Sequence, residues 1–333
     1  MSMQSNGREL TMAEAINEAI REEMGRDENV VLWGEDVGVA GGVFKVTKGI
    51  LKEFGPERVF DTPISEAGIV GLAVGAAMTG LRPVVEVMFG DFLTLAMDQL
   101  VNQAAKIHYM SGGSFSVPMV VRTTLGAGRR TAAQHSQSLH AWVAHIPGLK
   151  VVLPSCPYDA KGLLKTAIRD NNPVVFFEDK IGYQRKGLVP KSDPDCTIPF
   201  GRADVKREGS DLTIIATSSM VHMALTAASK LADDGIQAEV IDPRTLVPLD
   251  KQTLIDSVKK TSRCMVIDQG YQSFGVTAEI AALVAEQAFY SLDGPVRRLG
   301  GLDVPIPFSP SLEDLTIPTV ESVTVLAQEM VGA

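Results

Sequence analysis

Several kinds of site are missing from this sequence. It has three cysteines, Cys156, Cys196 and Cys264. Because their number is odd, their spacing is wide and no C-x-x-C pair occurs, neither a disulfide framework nor a zinc site is indicated. The five histidines include no H-E-x-x-H motif and have no carboxylates at ligand spacing. We therefore expect a reducing compartment and no transition-metal centre.

Long apolar runs and positive charge are also scarce. No apolar stretch reaches the roughly 20 residues that cross a membrane, and residues 1–10 lack the apolar core of a signal peptide. The formal net charge is -9 and there is no basic tract, which argues against a nucleic-acid surface. We predict no membrane segment, no nucleic-acid partner and a cytoplasmic location, with the processed form of an organellar protein as the alternative.

Nucleotide-binding glycine motifs are missing as well. No G-x-G-x-x-G sequence lies between a predicted strand and a helix, and the glycine-rich stretch 126–130 lacks the third glycine. There is no Walker A sequence either. A dinucleotide or P-loop function is therefore unsupported.

What the chain does contain is enough apolar sequence for two domains. It has 333 residues, of which 45% are hydrophobic, and this length exceeds one ordinary core. Strand-like apolar runs alternate with helical periodicity, first up to about residue 179 and again from residue 211. We predict an α/β protein of two doubly wound domains with mainly parallel sheets. The predicted bounds are 8–181 for the first domain, 182–204 for a Gly- and Pro-containing linker and 205–330 for the second domain.

One stretch organises the first domain. Pro63 favours an extended chain before Ser65, which is a good N-cap, and the residues from Ala67 to Met78 carry no charge. This pattern predicts a helix that is buried on all sides and has Glu66 in its first turn. Two interpretations of Glu66 are open. It complements the helix dipole, or it is a carboxyl in a low-dielectric site that exchanges protons with a bound ring.

Four further residues also allow both a structural and a functional interpretation. Glu35 and Asp36 follow a predicted strand and open a glycine-rich loop, where α/β proteins place ligands, although an acidic turn is the simpler explanation. Phe92 follows the strand predicted over residues 82–88, ahead of a helix predicted to run to about residue 110, and is either a core or a site residue. His135 lies in a polar loop, where it is either solvent-exposed or a general acid or base.

Motifs along most of the chain carry a family resemblance. The motifs are Asp61-Thr62-Pro63-Ile64-Ser65-Glu66, Gly34-Glu35-Asp36-Val37, Ala133-Gln134-His135-Ser136-Gln137, Asp170-Asn171-Asn172-Pro173, Asp242-Pro243-Arg244-Thr245 and Leu312-Glu313-Asp314. Together they resemble the β subunit of the thiamine-diphosphate-dependent component of 2-oxo acid dehydrogenase complexes. The resemblance implies a transketolase-like fold, with a thiamine pyrimidine-binding domain followed by a transketolase C-terminal-like domain.

The resemblance also implies roles for individual residues. In this family the acid at the position of Glu66 contacts the aminopyrimidine of the cofactor and shares a proton with a ring nitrogen, so that the cofactor's own amino group can take up the thiazolium proton. Phe92 matches the aromatic residue that stacks on the pyrimidine, and Ile64 and Met88 match its neighbours. His135 matches the catalytic histidine near the reacting carbonyl or the incoming lipoyl arm.

The phosphate half of such a site is missing. Thiamine enzymes hold the diphosphate through Mg²⁺ with a G-D-G sequence, and this chain has none. The resemblance therefore implies an α subunit that supplies most of the Mg²⁺ site, in an α2β2 assembly that shares the cofactor. It also implies a K⁺ site, with matching positions at Met119, Ala167, Asp170 and Asn172.

The reaction implied is an oxidative acyl transfer. Acetoin or a 2-oxo acid is cleaved, and the acyl fragment passes to the lipoyl group of a dihydrolipoyl acyltransferase core. Stretches such as Pro154-Ser155-Cys156-Pro157-Tyr158-Asp159 are closer to acetoin dehydrogenases, whereas Phe176-Phe177-Glu178 is closer to branched-chain members. Pyruvate, acetoin and branched-chain substrates stay open. The alternatives are a subunit of a split transketolase that transfers ketol groups, and a non-catalytic scaffold subunit.

Overall fold

The computed structural model describes residues 7–190 and 196–332. Contacts between these residues divide the chain into two compact units. The first unit runs to Leu125 and continues with Trp142–Phe200, and the second consists of Gly126–Ala141 and the chain from Gly201 onwards. The predicted domain bounds of 8–181, 182–204 and 205–330 stay a prediction, and residues 191–195 of the predicted linker lie outside the described residues.

The first unit alternates strands and helices in the predicted order. Its elements are β1 (Gly7–Thr11), α1 (Met12–Arg26), β2 (Val30–Gly34), α2 (Ile50–Phe54), β3 (Val59–Asp61), α3 (Glu66–Met78), β4 (Arg82–Val87), α4 (Ile107–Met110), β5 (Val120–Leu125), α5 (His140–Ala144, shared with the second unit), β6 (Lys150–Val152), α6 (Pro157–Arg169), β7 (Val174–Asp179) and β8 (Lys186–Pro190). Helix α1 begins at a capping box between Thr11 and Glu14, as the sequence pattern indicates.

A parallel sheet forms the centre of this unit. Its strands lie in the order β6-β7-β5-β4-β2-β3, and every pair among them is parallel. Helices α1 and α6 pack on one face through a core that includes Ile16, Ile20 and Leu163. Because all of these strands point the same way, their carboxyl ends meet at a single edge, where ligands bind in α/β sheets.

The second unit repeats this arrangement on a smaller scale. Its further elements are β9 (Asp204–Arg207), β10 (Leu212–Ala216), α7 (Met220–Asp233), β11 (Ala238–Asp242), β12 (Thr245–Val247), α8 (Lys251–Thr261), β13 (Cys264–Tyr271), α9 (Val276–Ala288), β14 (Arg297–Gly301), α10 (Pro310–Glu313) and α11 (Val320–Gly332). Its sheet has the order β14-β13-β10-β11-β9, which is parallel except for the edge strand β9. The predicted fold class, two doubly wound domains with mainly parallel sheets, is confirmed.

One local prediction was wrong, and one strand was not predicted. The helix predicted to run to about residue 110 is instead a 3-10 helix (Gly90–Ala96), a π-helix (Gln99–Ala104) and the short α4. The Thr94 hydroxyl donates to the Asp91 carbonyl at 2.8 Å, and this three-residue spacing favours the tighter turn. Strand β8 lies within the predicted linker and pairs antiparallel with β1. The sequence pattern did not indicate this strand, because its glycine and proline are typical of an edge strand and interrupt the periodicity.

Helix α3 also differs from its prediction, since it is buried on one face only. Ile69, Val70 and Val74 lie in the interior, whereas the opposite face is exposed, with Leu72 51% accessible. An apolar helix surface indicates packing against another element, and this element can belong to the same chain or to a partner chain.

Among the described residues, no helix is both long and apolar enough to cross a membrane.

Candidate active site

A row of paired residues marks the carboxyl edge of the first sheet. Strand register places Gly34 between Asp61 on one side and Glu86 on the other, and pairs Glu86 in turn with Arg122. Gly34 has to be glycine, because a Cβ there would lie 2.7 Å from the Glu86 carbonyl oxygen. The segments that carry the predicted site residues of this unit leave the sheet directly beyond this row.

Glu66 lies at the start of α3, one short loop beyond β3. The Ser65 hydroxyl accepts a hydrogen bond from the Gly68 N–H at 3.3 Å and so caps the helix, as predicted. Farther along, the Trp33 indole N–H donates to the Ile69 carbonyl at 3.1 Å and ties the first turn to β2. The Glu66 residue is only 8% exposed. A carboxyl is therefore held at low exposure beside the positive end of a fixed helix.

A second acid lies close to the first. Burial raises the pKa of Glu35 above its ordinary value, and the negative charges of Asp36 and Glu66 raise it further. The loop after Glu35 is held by Asp61, whose carboxylate accepts the Gly38 N–H at 2.6 Å and the Val39 N–H at 3.1 Å. This edge of the sheet thus keeps a protonatable acid next to Glu66.

The predicted pyrimidine slot residues lie in the segments that follow β3 and β4, at the same edge of the sheet as Glu66. Ile64 precedes the acid by two residues and is 74% exposed. Phe92 is half-buried and meets Phe89 edge to face at 5.8 Å. Met88 ends the β4 region, where its carbonyl accepts the Thr124 hydroxyl at 3.2 Å. An exposed isoleucine and a half-buried aromatic ring next to a sequestered carboxyl are surfaces that a flat heterocycle can cover.

Sequence reasoning missed a buried ionic group at the same edge, here called the Arg122 cluster and consisting of Glu86, Arg122, Glu178 and Tyr183. Arg122 donates two bonds to Glu178, at 2.7 and 2.8 Å, and one to Glu86 at 2.8 Å. The Tyr183 hydroxyl donates to Glu178 at 2.7 Å. Charged residues inside otherwise apolar predicted strands were the available signal, because such charges are buried only when they are paired.

Burial affects the ionisation of the whole cluster. It raises the pKa of Glu86 above the ordinary value, and the positive charge of Arg122 offsets this only in part. Burial and then the charge of Glu178 raise the pKa of Tyr183 well above normal. Although burial disfavours its charged form, Glu178 and Glu86 raise the pKa of Arg122. Arg122 is therefore a permanent positive charge, buried at the carboxyl edge of the sheet from which the loops of the site begin.

His135 belongs to the second unit. It ends a one-turn 3-10 helix (Ala133–His135) in the loop 126–141 and is half-buried. The Thr131 hydroxyl donates to the His135 carbonyl at 3.1 Å. Its proposed catalytic role stays a prediction, as do the roles of Glu66, Ile64, Met88 and Phe92.

The predicted K⁺ positions lie close together at the amino edge of the first sheet. The Ala167 carbonyl accepts the Asp170 N–H at 3.3 Å, and the Met119 carbonyl accepts the Val174 N–H at 2.9 Å. The Asp170 carboxylate accepts two bonds from Asn172, each 2.8 Å long, and also forms an ion pair with Lys150. Potassium binding at this place stays a prediction.

Comparison with known proteins gives the same arrangement of domains. Residues 8–186 match the profile of the transketolase pyrimidine binding domain, and residues 201–323 match that of the transketolase C-terminal domain. The chain belongs to the transketolase family. The range matched by the first profile spans Glu66, Phe92 and His135.

Individual relatives narrow this class. The chain is 51% identical over 337 residues to the acetoin:2,6-dichlorophenolindophenol oxidoreductase subunit beta of Bacillus subtilis, covering 98% of each chain. It is 48% identical over 324 residues to the pyruvate dehydrogenase E1 component subunit beta-1 of Arabidopsis thaliana, covering 97% of this chain and 89% of that protein. The predicted resemblance to dehydrogenase β subunits is confirmed.

A solved structure supports the fold. A split-gene transketolase, described as an inactive beta4 tetramer, superposes with a TM-score of 0.76 at 25% identity, covering 97% of this chain and 98% of that one. The identity to the dehydrogenase subunits is about twice as high over a similar length.

Proposed function

We propose that this chain is the β subunit of a thiamine-diphosphate-dependent oxidoreductase that cleaves acetoin or a 2-oxo acid and transfers the acyl fragment to a lipoyl group. The observation that carries the proposal is a Glu66 carboxyl held at low exposure at the start of α3, beyond the carboxyl edge of a pyrimidine-binding domain. The about 50% identity to acetoin and pyruvate dehydrogenase subunits supports it.

Residues of this chain fit the pyrimidine end of the cofactor. Glu66 would hold a proton at a ring nitrogen, and Phe92, Ile64 and Met88 would form the walls of the slot. Glu35, whose pKa is raised by burial and by the neighbouring carboxylates, lies near Glu66. His135 would donate a hydrogen bond to the reacting carbonyl or to the incoming lipoyl arm. The chemistry that thiamine diphosphate supplies when bound is a carbon nucleophile and an electron sink beside a carbonyl carbon.

The partner is an α subunit in an α2β2 heterotetramer. Because the chain contains no G-D-G sequence, the Mg²⁺ and most of the diphosphate contacts fall to that subunit. The exposed face of α3 supports this assembly. A Cβ at Gly75 would meet no atom within 4 Å, and Leu72 is exposed beside it, so a partner helix can approach closely there.

Further details belong to the same proposal. A dihydrolipoyl acyltransferase core accepts the acyl group, K⁺ binds at the Met119, Ala167, Asp170 and Asn172 set, and the complex is cytoplasmic. Acetoin, pyruvate and a branched-chain 2-oxo acid remain the candidate substrates, and the unseen α subunit contributes to the choice.

Glu66→Gln provides the test. Glutamine preserves the shape of the side chain but cannot share a proton, so turnover of the reconstituted αβ complex should fall by about 100-fold or more, while assembly is unchanged. Reduction of an artificial electron acceptor with acetoin, pyruvate or a branched-chain 2-oxo acid measures turnover. Glu57→Gln, at an exposed glutamate of the same unit, is the matched control. Wild-type turnover by the Glu66 variant would refute the proposed role.

The similarity to a split-gene transketolase favours one alternative, a subunit that transfers ketol groups. The same complexes tested with ketose phosphates and an aldose acceptor distinguish the two reactions. Ketol transfer without acceptor reduction would replace the dehydrogenase proposal. If the assembled complex bound no thiamine diphosphate, the chain would be a scaffold subunit.

A further inference from the structure

The loop that carries His135 has an unusual backbone. Arg130 and Ala132 adopt positive φ angles of 58° and 61°, and Ala132 combines its φ with a ψ of -171°. This last combination is essentially restricted to glycine. Such a conformation persists only where surrounding contacts hold it, and here it immediately precedes the turn that ends at His135.

An ionic group holds one side of this loop; we name it the Arg130 clamp, consisting of Arg130, Glu313 and Asp314. The buried Glu313 carboxylate accepts the Gly128 N–H at 2.6 Å and one Arg130 Nη at 2.7 Å. Arg130 also binds both carboxylate oxygens of Asp314, at 2.7 and 3.1 Å. The clamp thus fixes the backbone at Gly128 and the side chain at Arg130, just before the strained residue.

A buried pair holds the other side. The His140 Nε2 lies 2.9 Å from an oxygen of Asp268, which also accepts the Gly270 N–H at 2.9 Å, while the other Asp268 oxygen accepts the Thr217 hydroxyl. His140 and Asp268 are both buried. In sequence, His135 therefore lies midway between Arg130 and His140, and each of these two residues is held by at least one acid of the second unit.

We propose that the Arg130 clamp and the His140–Asp268 pair position His135 for catalysis. Glu313, Asp314 and Asp268 are positioning residues, since they act through the loop and not on the substrate. The inference rests on the proposed function, in which His135 acts at the reacting carbonyl or the lipoyl arm. A displacement of about 1 Å in such a group can cost about 100-fold in rate.

The test combines substitutions of the clamp with a substitution of His135 in the reconstituted αβ complex. Arg130→Met removes the guanidinium and retains much of the side-chain stem, so kcat should fall by about 10- to 100-fold. KM for thiamine diphosphate should change by less than about twofold, because Arg130 is not assigned to the cofactor. Asp314→Asn changes an exposed partner without threatening the fold and should give an intermediate loss of kcat.

Coupling to His135 separates positioning from general damage. In a His135→Ala background, adding Arg130→Met should lower kcat by less than about twofold, since the group that the clamp positions is already absent. Hydrogen exchange measured by mass spectrometry should show faster exchange at residues 128–136 in the Arg130→Met complex. Arg297→Met is the matched control, because this exposed arginine of the same unit forms a long ion pair, 4.0 Å, with Glu329.

The outcomes distinguish the two proposals. Wild-type kcat in Arg130→Met, or an equal fold-loss with and without His135, would overturn the positioning role while the proposed function stands. A wild-type complex that is inactive on every 2-oxo acid and on acetoin would overturn the proposed function and this inference together. Full activity in His135→Ala would overturn the role of His135 and this inference, while the proposed function stands.

Discussion

Two arginines in this chain each bind two carboxylates, one in each unit, and their surroundings differ greatly. The Arg122 side chain is 1% exposed and its partners Glu86 and Glu178 are buried with it. The Arg130 side chain is 36% exposed, and one of its partners, Asp314, is mostly in solvent. The same chemistry therefore carries very different desolvation costs.

This difference separates two uses of an ion cluster. In the Arg122 cluster, the loss of one member leaves another charge in the interior without compensation, so the fold itself depends on the cluster. In the Arg130 clamp, Arg130 and Asp314 face water, and the buried Glu313 still accepts the Gly128 N–H when the arginine is lost. Less stability is therefore at stake, and the main contribution is to the geometry of one loop. Substitutions in the Arg130 clamp can therefore alter activity without altering the fold, whereas substitutions in the Arg122 cluster cannot.

The largest effect is expected for Arg122→Met. The substitution leaves Glu86 and Glu178 buried without their partner, and the free energy of unfolding should fall by about 3–5 kcal/mol. Denaturant titration of the assembled complex measures the loss. A triple variant that also carries Glu86→Gln and Glu178→Gln should regain more than half of it, because no charge is then left unpaired. A loss no larger than that of Arg130→Met would contradict the comparison.

A smaller effect with a defined pH dependence is expected for Glu86→Gln. Arg122 keeps its two hydrogen bonds to Glu178, so the free energy of unfolding near neutral pH should fall by about 1–2 kcal/mol. Burial raises the pKa of Glu86 in the folded protein. The part of the stability that comes from this pKa shift is fully present below the unfolded pKa of about 4.3 and is lost as pH rises through the folded pKa. The loss caused by the substitution should therefore grow as pH is lowered from neutral. Unfolding curves of both proteins at several pH values measure this, and a loss that shrinks on acidification would be inconsistent with the raised pKa.

The smallest effect on stability is expected for Arg130→Met. Because Arg130 and Asp314 face water and the buried Glu313 keeps the hydrogen bond from the Gly128 N–H, the midpoint of denaturant unfolding should shift much less than in Arg122→Met, even though kcat falls as described above. Arg297→Met again serves as the control. A midpoint shift as large as that of Arg122→Met would place Arg130 in the same class as Arg122 and remove the distinction between the two clusters.

Much of the fold was predictable from local pattern. The alternation of buried strands with amphipathic helices indicated two parallel-sheet domains, and the Ser65 cap located the start of α3. The predictions that were wrong concerned irregular segments. The tight turns after Gly90 and the edge strand β8 depend on contacts with other parts of the chain, which periodicity does not encode.

The candidate site shows the same division. Glu66, Phe92 and His135 were recognisable because they lie within or near short motifs. The Arg122 cluster was not, because its members are 36 and 56 residues apart in sequence and meet only through the register of β4, β5 and β7. The exposure of one face of α3 was equally unpredictable, since an apolar pattern does not identify the element that packs against each face.

By itself, the sequence determined the order of the elements, the family and the acid at the start of α3, because these follow from local periodicity, capping and contiguous motifs. Only the tertiary structure decided which charges meet. Glu313 lies 185 residues beyond Gly128 and still accepts its N–H. Such a pairing depends on how sheets and loops bring distant segments together, and whether the paired charges stabilise the fold or only hold a loop depends on how far each is removed from water.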